Sequence, residues 1–328
     1  MRVLVVGGTG LLGQHIVAEL TGRGHQAGTL ARRAAPGSTT IPGDVQRLSG
    51  TEWSQRLAGF DGVVYATGVD DRQVPRAPAD RYFHEGNVGP LRRLLPAARE
   101  AGCRRVVVCG SYFTALHRSH PHWRLAERHP YIRSRVSQAE FALGQAGDQL
   151  AVAVLEIPLV FGSAAGRRPL WAPAVPWLRS RLPLLAPVGG TAVTSAVTVA
   201  QAAAGALERG SAGRFPVADG NLAWRDLVAR LAAVAGRPEP FAVRRLPSVV
   251  VRTALRGTGL RYRLARREHG FDPGWVSDLL LSEMFVDESV CRTELGVTGG
   301  DLERAFHDTI VASLRAGVVE PLPFVVKD

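Results

Sequence analysis

Three glycines near the start of the chain are spaced to hold a phosphate group. Gly7-x-x-Gly10-x-x-Gly13 follows the apolar run RVLVV (2–6) and precedes a stretch with apolar side chains at helical spacing. Glycines between a strand and a helix permit a tight turn, and they let backbone N–H groups approach a pyrophosphate at the positive end of the helix. The loop therefore predicts a dinucleotide site. The residues predicted to bind it are Gly7, Gly10, Leu11, Leu12 and Gly13.

The end of the second predicted strand favours one of the two nicotinamide dinucleotides. A site that prefers NAD usually has an acid about 20 residues after the glycine loop, where it binds the adenosine ribose. No Asp or Glu occurs between Glu19 and Asp44, and the strand ends in Arg32 and Arg33, which could pair with a 2′-phosphate. We therefore favour NADP(H) over NAD(H). The alternative is that both arginines are ordinary surface charges. Asp44 could hydrogen-bond the adenine amino group.

Strand-like runs alternate with helical stretches along the first half of the chain. The further strand-like runs lie at 27–31, 62–66, 105–109 and 151–157, and the helical stretches at 14–23, 88–101 and 131–146. Strands that alternate with helices are typical of an α/β fold with a doubly wound parallel sheet. The sequence thus predicts a Rossmann-type architecture.

The regular alternation ends after Gly162. Prolines there alternate with Trp171, Trp177 and leucines, and regular elements return with a helical stretch at 197–208 and a strand-like run at 214–218. We interpret the change as a second, discontinuous domain that binds the substrate. The predicted division is 1–162 plus about 192–218 for the dinucleotide-binding domain, and about 163–191 plus 219–328 for the smaller domain.

Arginine dominates the basic residues of this chain. It has 328 residues and a formal net charge of +11, from 40 Lys and Arg against 29 Asp and Glu. The one lysine is Lys327, which excludes any mechanism that needs a lysine in the folded body. Eight arginines and no acid lie between Phe241 and Arg267, which indicates a solvated helical face or a surface that holds a diphosphate. No basic module with interleaved aromatics is recognisable, so a nucleic-acid partner is not expected.

The remaining composition points to a reducing compartment. Three cysteines cannot form a disulfide framework in a chain of this size, and the N-terminus lacks the features of a signal peptide. The longest apolar stretch, 150–161, is interrupted and too short to span a bilayer. We expect a cytoplasmic protein with a small-molecule substrate and without a membrane partner. No metal site is expected, because no Cys or acid pattern completes the histidines of 117–129.

Several motifs occur in order along nearly the whole chain. They are GGTGLLG (7–13), GDV (43–45), VVYATG (63–68), NVGPLRRLLPAAREAGCRRVVVCGS (87–111), YIRSR (131–135), PLVFG (158–162) and VDESVCRTELG (286–296). In these motifs the chain resembles the extended short-chain dehydrogenase/reductases, the group that also contains nucleotide-sugar epimerases and dehydratases. The resemblance implies further cofactor contacts from Val45, Ala66, Thr67, Gly68, Pro158 and Val160. A homodimer is expected from the resemblance alone.

The resemblance also implies catalytic residues. In this family a Ser or Thr after the fifth strand and a Tyr on the next helix act on the substrate carbonyl or carbinol, and a Lys four residues later binds the nicotinamide ribose. The matching positions are Ser111, Tyr131 and Arg135, and Asn87 matches an Asn that supports the site. A tyrosine has a pKa of about 10 and is therefore a poor acid or base at neutral pH. A cation one helical turn away is needed to stabilise its phenolate. By the resemblance, Tyr131 and Arg135 also contact the cofactor.

Arg135 is the main departure from the family pattern. An arginine supplies positive charge and can bind ribose hydroxyls, but its pKa above about 12 prevents it from relaying a proton. No lysine elsewhere in the folded body replaces it. Two hypotheses follow: a working enzyme in which Arg135 has the electrostatic role, or a cofactor-binding protein with impaired redox chemistry.

Three functions stay open at this point. The favoured one is NADPH-dependent reduction of a carbonyl, or oxidation of a carbinol, in a small organic substrate such as a natural-product intermediate. The alternatives are a nucleotide-sugar epimerase with tightly bound NAD and a non-catalytic NADP(H)-binding regulator. A 4,6-dehydratase is disfavoured, because such relatives carry an Asp-Glu pair where this chain has Tyr112 and Phe113. The residues predicted to line the pocket are Tyr112, Phe113, Trp171 and Trp177, although core packing is the plainer role for both tryptophans.

Overall fold

The strand-like runs of the sequence lie side by side in one parallel sheet. The computed structural model describes residues 1–32 and 40–315, so Arg33 and Lys327 lie outside the described residues. The strands are β1 (Arg2–Val6), β2 (Gln26–Ala31), β3 (Thr40–Pro42), β4 (Gly62–Tyr65), β5 (Arg105–Cys109), β6 (Ala151–Glu156), β7 (Leu159–Phe161), β8 (Leu184–Ala186), β9 (Gly190–Ser195), β10 (Gly213–Pro216), β11 (Gly220–Ala223), β12 (Val243–Arg245) and β13 (Glu283–Met284). Seven of them form the main sheet in the order β10-β6-β5-β4-β1-β2-β3, with all neighbours parallel. This confirms the predicted doubly wound α/β fold.

Helices cover both faces of the main sheet. They are α1 (Leu11–Gly22), α2 (Gly50–Leu57), α3 (Ala79–Asn87), α4 (Gly89–Glu100), α5 (Phe113–Ser119), α6 (Leu125–Arg128), α7 (Pro130–Leu143), α8 (Val175–Arg179), α9 (Ala196–Arg209), α10 (Trp224–Val234), α11 (Ser248–Leu264), α12 (Val276–Leu280), α13 (Ser289–Leu295) and α14 (Leu302–Arg315). Along β1, Val3 and Val5 pack with α1 and α9, whereas Leu4 and Val6 pack with α2, α4 and α7. Successive side chains of a strand face opposite ways, and both faces of the central strands β1, β4, β5 and β6 are mostly buried and apolar.

A smaller sheet is built around β9. Strand β11 pairs with it antiparallel, and β7 and β13 pair with it parallel along its other edge. Strand β9 begins two residues before the predicted return to the first domain at about 192, and it pairs in the smaller sheet. The following α9 packs against the main sheet, and β10 is the edge strand of that sheet beside β6. The division of the chain into two domains stays a prediction.

The arginine-rich segment contains the short strand β12 and then α11, a helix of 17 residues. Val251 and Gly259 are its buried residues. This arrangement agrees with the interpretation as a solvated helical face for the four exposed arginines that lie on α11. None of the helices in the described residues combines the length and apolar character that a membrane span requires.

An ion pair between a buried carboxylate and a partly exposed arginine fixes the loop that follows β5. Glu156, at the end of β6, is fully buried, and Arg118 of α5 donates to its Oε2 at 2.9 Å. The Thr114 hydroxyl lies within hydrogen-bonding distance of both the Glu156 carboxylate and the Ser111 carbonyl oxygen. Three elements of the chain are therefore tied together where Ser111 leaves the sheet.

We expect the Arg118→Met substitution to destabilise the protein by about 2–4 kcal/mol, because it leaves the Glu156 charge buried without its partner. Adding Glu156→Gln removes that charge, so the double variant should regain most of the lost stability. Urea unfolding of the two variants and the wild type measures both effects. A double variant that is as unstable as Arg118→Met alone would contradict this account.

Candidate active site

The glycine loop connects the end of β1 to the start of α1. The Gly7 N–H donates to the Leu30 carbonyl at 2.8 Å, and the Gly10 N–H donates to the Gly7 carbonyl at 2.9 Å. A Cβ at Gly13 would lie 2.2 Å from the Gly7 oxygen, so only glycine permits this close turn. No side chain caps α1, which begins with Leu11 and Leu12. The first N–H groups of α1 are thus oriented to bind an anion.

A loop that follows β7 lies over the glycine loop. The Gln14 side chain exchanges two hydrogen bonds with the Ala165 backbone, at 2.9 and 3.0 Å. The Arg167 guanidinium donates to the Thr9 carbonyl at 2.9 Å and to its hydroxyl at 3.2 Å. A cation therefore lies beside the phosphate cradle. Arg167 was not predicted from the sequence. Its only sequence signal is its position after the PLVFG motif, far along the chain from the glycines.

The candidate adenosine-binding residues follow two neighbouring strands. Arg32 is exposed directly after β2, and Asp44 follows β3, which pairs with β2. Asp44 Oδ1 accepts from the Gln46 N–H at 3.1 Å, and the Val45 carbonyl accepts from Arg93 at 3.2 Å. The structure thus brings Arg32 and Asp44 to the same edge of the sheet. Arg33, which was predicted to bind the cofactor, lies outside the described residues.

Asn87 holds the loop that follows β4. This fully buried side chain accepts from the Val69 N–H at 2.8 Å and donates to the Val69 carbonyl at 3.1 Å. It also donates to the Ser134 hydroxyl on α7 at 3.0 Å. A Cβ at Gly68 would lie 2.8 Å from Asn87 Oδ1 and 3.2 Å from an Arg135 nitrogen, which explains the glycine there. The neighbouring Ala66 and Thr67 lie against Gly7 of the glycine loop.

Ser111, Tyr131 and Arg135 come together at the carboxyl end of β5. Each is less than a tenth exposed. Arg135 donates to the Cys109 carbonyl at 2.9 Å, and its guanidinium carbon lies 6.0 Å from the centre of the Tyr131 ring. Tyr131 lies in the first turn of α7, and its N–H donates to the Gly270 carbonyl at 2.9 Å. The structure therefore brings together the three positions that the sequence motif suggests.

Burial sets the protonation of Tyr131. It raises the pKa of the phenol to about 12, although the Arg135 charge acts in the opposite direction. This net pKa also includes the Asp71 and Asp70 carboxylates, which raise it, and the Ser111 hydroxyl, which lowers it. At neutral pH the residue is a neutral phenol, which can donate a proton to an oxyanion that forms beside it.

Two observations test whether these residues fit a nicotinamide dinucleotide. The glycine loop forms a cradle that a Cβ would fill. Arg135 Nε is buried without a hydrogen-bond partner in the described part of the chain, so it is free to donate to a ligand hydroxyl. The residues present therefore fit the dinucleotide. Pro158 is buried, and Val160 is half-buried in β7.

Aromatic side chains surround Tyr131. Its ring centre lies 5.7 Å from that of Phe83, 6.4 Å from that of Phe113 and 5.6 Å from that of Phe271. Tyr112 directs its hydroxyl to Thr191 of β9 at 3.1 Å. Phe113 thus lies beside Tyr131 as predicted for a pocket residue, whereas the Tyr112 hydroxyl connects the site loop to the smaller sheet.

The structure does not bring Trp171 and Trp177 to this cluster. Trp171 stacks on Phe161 with ring centres 5.3 Å apart, and Trp177 donates to the Pro183 carbonyl at 3.2 Å. Both pack in a separate apolar cluster that also contains residues of α10 and α14. Their placement corresponds to the core-packing alternative.

Comparison with known proteins identifies the family. Residues 3–172 match the NAD dependent epimerase/dehydratase family, which is more than half of the chain. The chain belongs to the NAD-dependent epimerase/dehydratase family. This confirms the resemblance to the extended short-chain dehydrogenase/reductases. The protein is thus an NAD(P)-dependent oxidoreductase or epimerase, and the finer assignment depends on its own site.

Two relatives have similar sequences. A 3-beta-hydroxysteroid dehydrogenase of Mycolicibacterium neoaurum is 27% identical over 45% of this chain, which is 44% of that protein's length. A 3-diazoavenalumate denitrifying reductase of Streptomyces sp is 30% identical over 67% of this chain and 76% of its own length. The chain thus matches less than half of the dehydrogenase and about three quarters of the reductase.

Solved structures share the fold over the whole chain. The crystal structure of gox2253 has a TM-score of 0.77 and 18% identity, and the match covers 97% of this chain and 99% of that one. MoeE5 in complex with UDP-glucuronic acid and NAD has a TM-score of 0.65 and 21% identity, and the match covers 96% of this chain and 100% of that one. At these identities the likeness shows the fold alone.

Three other residues near Tyr131 were not predicted from the sequence of this family member. Phe271 comes from the segment after α11, far along the sequence, and no motif marks it. Asp70 and Asp71 follow β4, and an acid pair just beyond the carboxyl end of a central strand is a signal that could have found them. Burial and the Asp70 charge raise the pKa of Asp71 to about 6. Groups of His, Cys, Asp and Glu that could hold a metal are absent from the described residues.

We expect the Asp71→Asn substitution to stabilise the protein at pH 8 but not at pH 4. Because folding raises the pKa of this carboxyl from about 4 to about 6, its favourable contribution is complete below about pH 4 and is lost as the pH rises through about 6. Asp71 is partly exposed, so the gain at pH 8 should be about 1–2 kcal/mol.

Urea unfolding at several pH values from about 4 to 8 measures this difference. Asp148→Asn, at an exposed carboxylate, is the matched control and should show no such gain with rising pH. A constant difference between Asp71→Asn and wild type across the range would contradict the assignment.

Proposed function

We propose that the protein is an NADP(H)-dependent reductase of a carbonyl, or of a similar C=X group, in a small, partly apolar organic substrate. The observation that carries this proposal is the buried, neutral Tyr131 phenol, with Ser111 beside it and the Arg135 charge against its ring. Oxidation of the matching carbinol is the reverse of the same reaction. The family membership supports the general class of chemistry.

Tyr131 and Ser111 act on the substrate oxygen. The bound dinucleotide supplies the hydride. Tyr131 donates its phenolic proton to the oxyanion that develops, and the Ser111 hydroxyl donates a hydrogen bond to the same oxygen. Arg135 then stabilises the Tyr131 phenolate by its charge and does not release a proton.

The cofactor residues favour NADP(H). Arg32 extends from the end of β2 with no acid nearby in the sequence, and Asp44 uses one carboxylate oxygen on the Gln46 N–H. Arg167 is placed to bind the pyrophosphate that both dinucleotides share. MoeE5, which shares the fold, was solved in complex with NAD, and this favours NAD(H) instead. The preference for NADP(H) therefore needs its own experiment.

The wall of the site favours an apolar or aromatic substrate. Phe83, Phe113 and Phe271 surround Tyr131, and stacking or edge contacts with a ring would use these faces. The names of both relatives, a steroid dehydrogenase and a diazoavenalumate reductase, agree with this class. The arginines of α11 lie on an exposed helix, which removes one reason to favour a nucleotide-sugar epimerase.

We expect the Tyr131→Phe substitution to lower kcat by about 100- to 10,000-fold, because it removes the proton donor. NADPH binding should change little. The assay follows NADPH oxidation with a panel of ketones and aldehydes, and Tyr112→Phe is the matched control because its hydroxyl contacts Thr191. Turnover that survives in Tyr131→Phe would exclude the mechanism. NADPH binding without turnover of any substrate would favour a regulator, and NAD retained through purification would favour an epimerase.

Two arginine substitutions separate cofactor preference from cofactor binding. Arg32→Gln should weaken NADPH binding by about 10- to 100-fold and leave NADH binding nearly unchanged, because it removes one charge-assisted contact. Arg167→Gln should weaken both cofactors to a similar extent. Titration of each variant with NADPH and NADH gives the dissociation constants. Equal losses for both cofactors in Arg32→Gln would contradict the 2′-phosphate role.

A further inference from the structure

Helix α11 presents a stripe of large apolar side chains to solvent. We call Val249, Val250, Leu260 and Leu264 the α11 stripe, and they are 73%, 50%, 61% and 80% exposed. At about 100° per residue, the four positions span about 100° of the helix circumference. Thr253 and Gly257 lie in the same sector between the two valines and the two leucines, so the stripe has two apolar ends on one helix face. Exposed apolar side chains grouped on one helix face indicate a contact surface.

The packing of α11 does not use the stripe. Its buried face carries Val251 and Gly259, and a Cβ at Gly259 would lie 2.5 Å from Pro273. Arg252 binds the Asp278 carboxylate of α12 at 2.9 Å. The helix is therefore held to the protein by the opposite face, and the stripe is available to a partner.

Arginines border the stripe on both sides. At about 100° per residue, Arg256 and Arg263 lie along one edge of the stripe, and Arg261 lies along the other edge. In the part of the chain that the structure describes, none of these three has a carboxylate within ion-pair distance, and the sequence has no acid from Phe241 to Arg267. The surface therefore combines exposed apolar area with uncompensated positive charge.

The segment after α11 leads directly to the active site. The Arg266 carbonyl accepts from the Ala77 N–H at 3.1 Å, and the Gly270 carbonyl accepts from the Tyr131 N–H. Phe271 then packs on Tyr131 and Phe113. The stripe is thus connected by a few residues to the apolar wall of the site.

We propose that α11 docks on an anionic membrane surface, with the stripe at the boundary of headgroups and acyl chains and the bordering arginines on lipid phosphates. Helices with an apolar face and a basic polar face bind in this way. A second copy of the chain fits less well, since a two-fold contact through the stripe would oppose arginines with arginines. Nucleic acid would use the charge but not the stripe. The proposal departs from the sequence expectation of no membrane partner, and it does not depend on the proposed reaction.

Cosedimentation of the full chain with lipid vesicles tests the proposal. The protein should sediment with vesicles of phosphatidylglycerol and phosphatidylcholine, and much less with vesicles of phosphatidylcholine alone. Arg256→Gln with Arg263→Gln should weaken binding by about 25-fold, at about fivefold for each arginine. Leu260→Ala with Leu264→Ala should weaken it by at least about tenfold.

Matched double variants at other exposed positions are the controls. They are Arg225→Gln with Arg304→Gln, and Leu170→Ala with Leu182→Ala, and both should bind as the wild type does. Thermal unfolding and NADPH binding without vesicles check that each variant is folded. Three results would overturn the proposal: no sedimentation with anionic vesicles, equal losses in variants and controls, or stripe variants that change the molar mass in solution or DNA binding without changing sedimentation.

Discussion

The buried positive charge of Arg135 constrains the rest of the active site. A guanidinium that is 7% exposed needs acceptors and negative potential around it, and here these come from the Cys109 carbonyl and the face of the Tyr131 ring. Its size also shapes its surroundings, because one of its nitrogens would lie only 3.2 Å from a Cβ at position 68. The Asn87 side chain bounds the same space. The glycine at position 68 thus leaves room for the Arg135 side chain, and the Cys109 carbonyl accepts a hydrogen bond from it.

The parallel sheet explains how residues far apart in sequence meet at one edge. The glycine loop follows β1, Gly68 follows β4 and Ser111 follows β5, whereas the loop with Arg167 follows β7 of the smaller sheet. In an open parallel sheet the carboxyl ends of the strands share one edge, and the order of strands changes direction beside β1. Cross-links then set the fine positions: Asn87 joins the β4 loop to α7, and Glu156 joins β6 to α5.

Sequence patterns predicted the parts of this arrangement that depend on local order. The glycine spacing located the tight loop between β1 and α1, and the strand and helix periodicities located the main sheet and α1, α4 and α7. Contacts between residues that are far apart in the sequence could not be predicted from such patterns. Arg167 reaches Thr9 across more than 150 residues, and Phe271 reaches Tyr131 across 140. The tryptophans of 163–191 show the same limit, since apolar character indicates burial but does not identify which of two apolar clusters a ring joins.

The electrostatics of Tyr131 bear on the direction of the reaction. A tyrosine that starts an oxidation or an epimerisation must first take a proton from a carbinol, so the phenolate must be accessible at working pH. Here burial and two nearby carboxylates favour the neutral phenol, and Arg135 only partly offsets them. A neutral phenol is already in the form that a reduction consumes, because it donates its proton as the oxyanion forms. The same Arg135 charge then stabilises the phenolate product of that step. The balance of charges around this one hydroxyl therefore matches the proton-donating step of the proposed reduction.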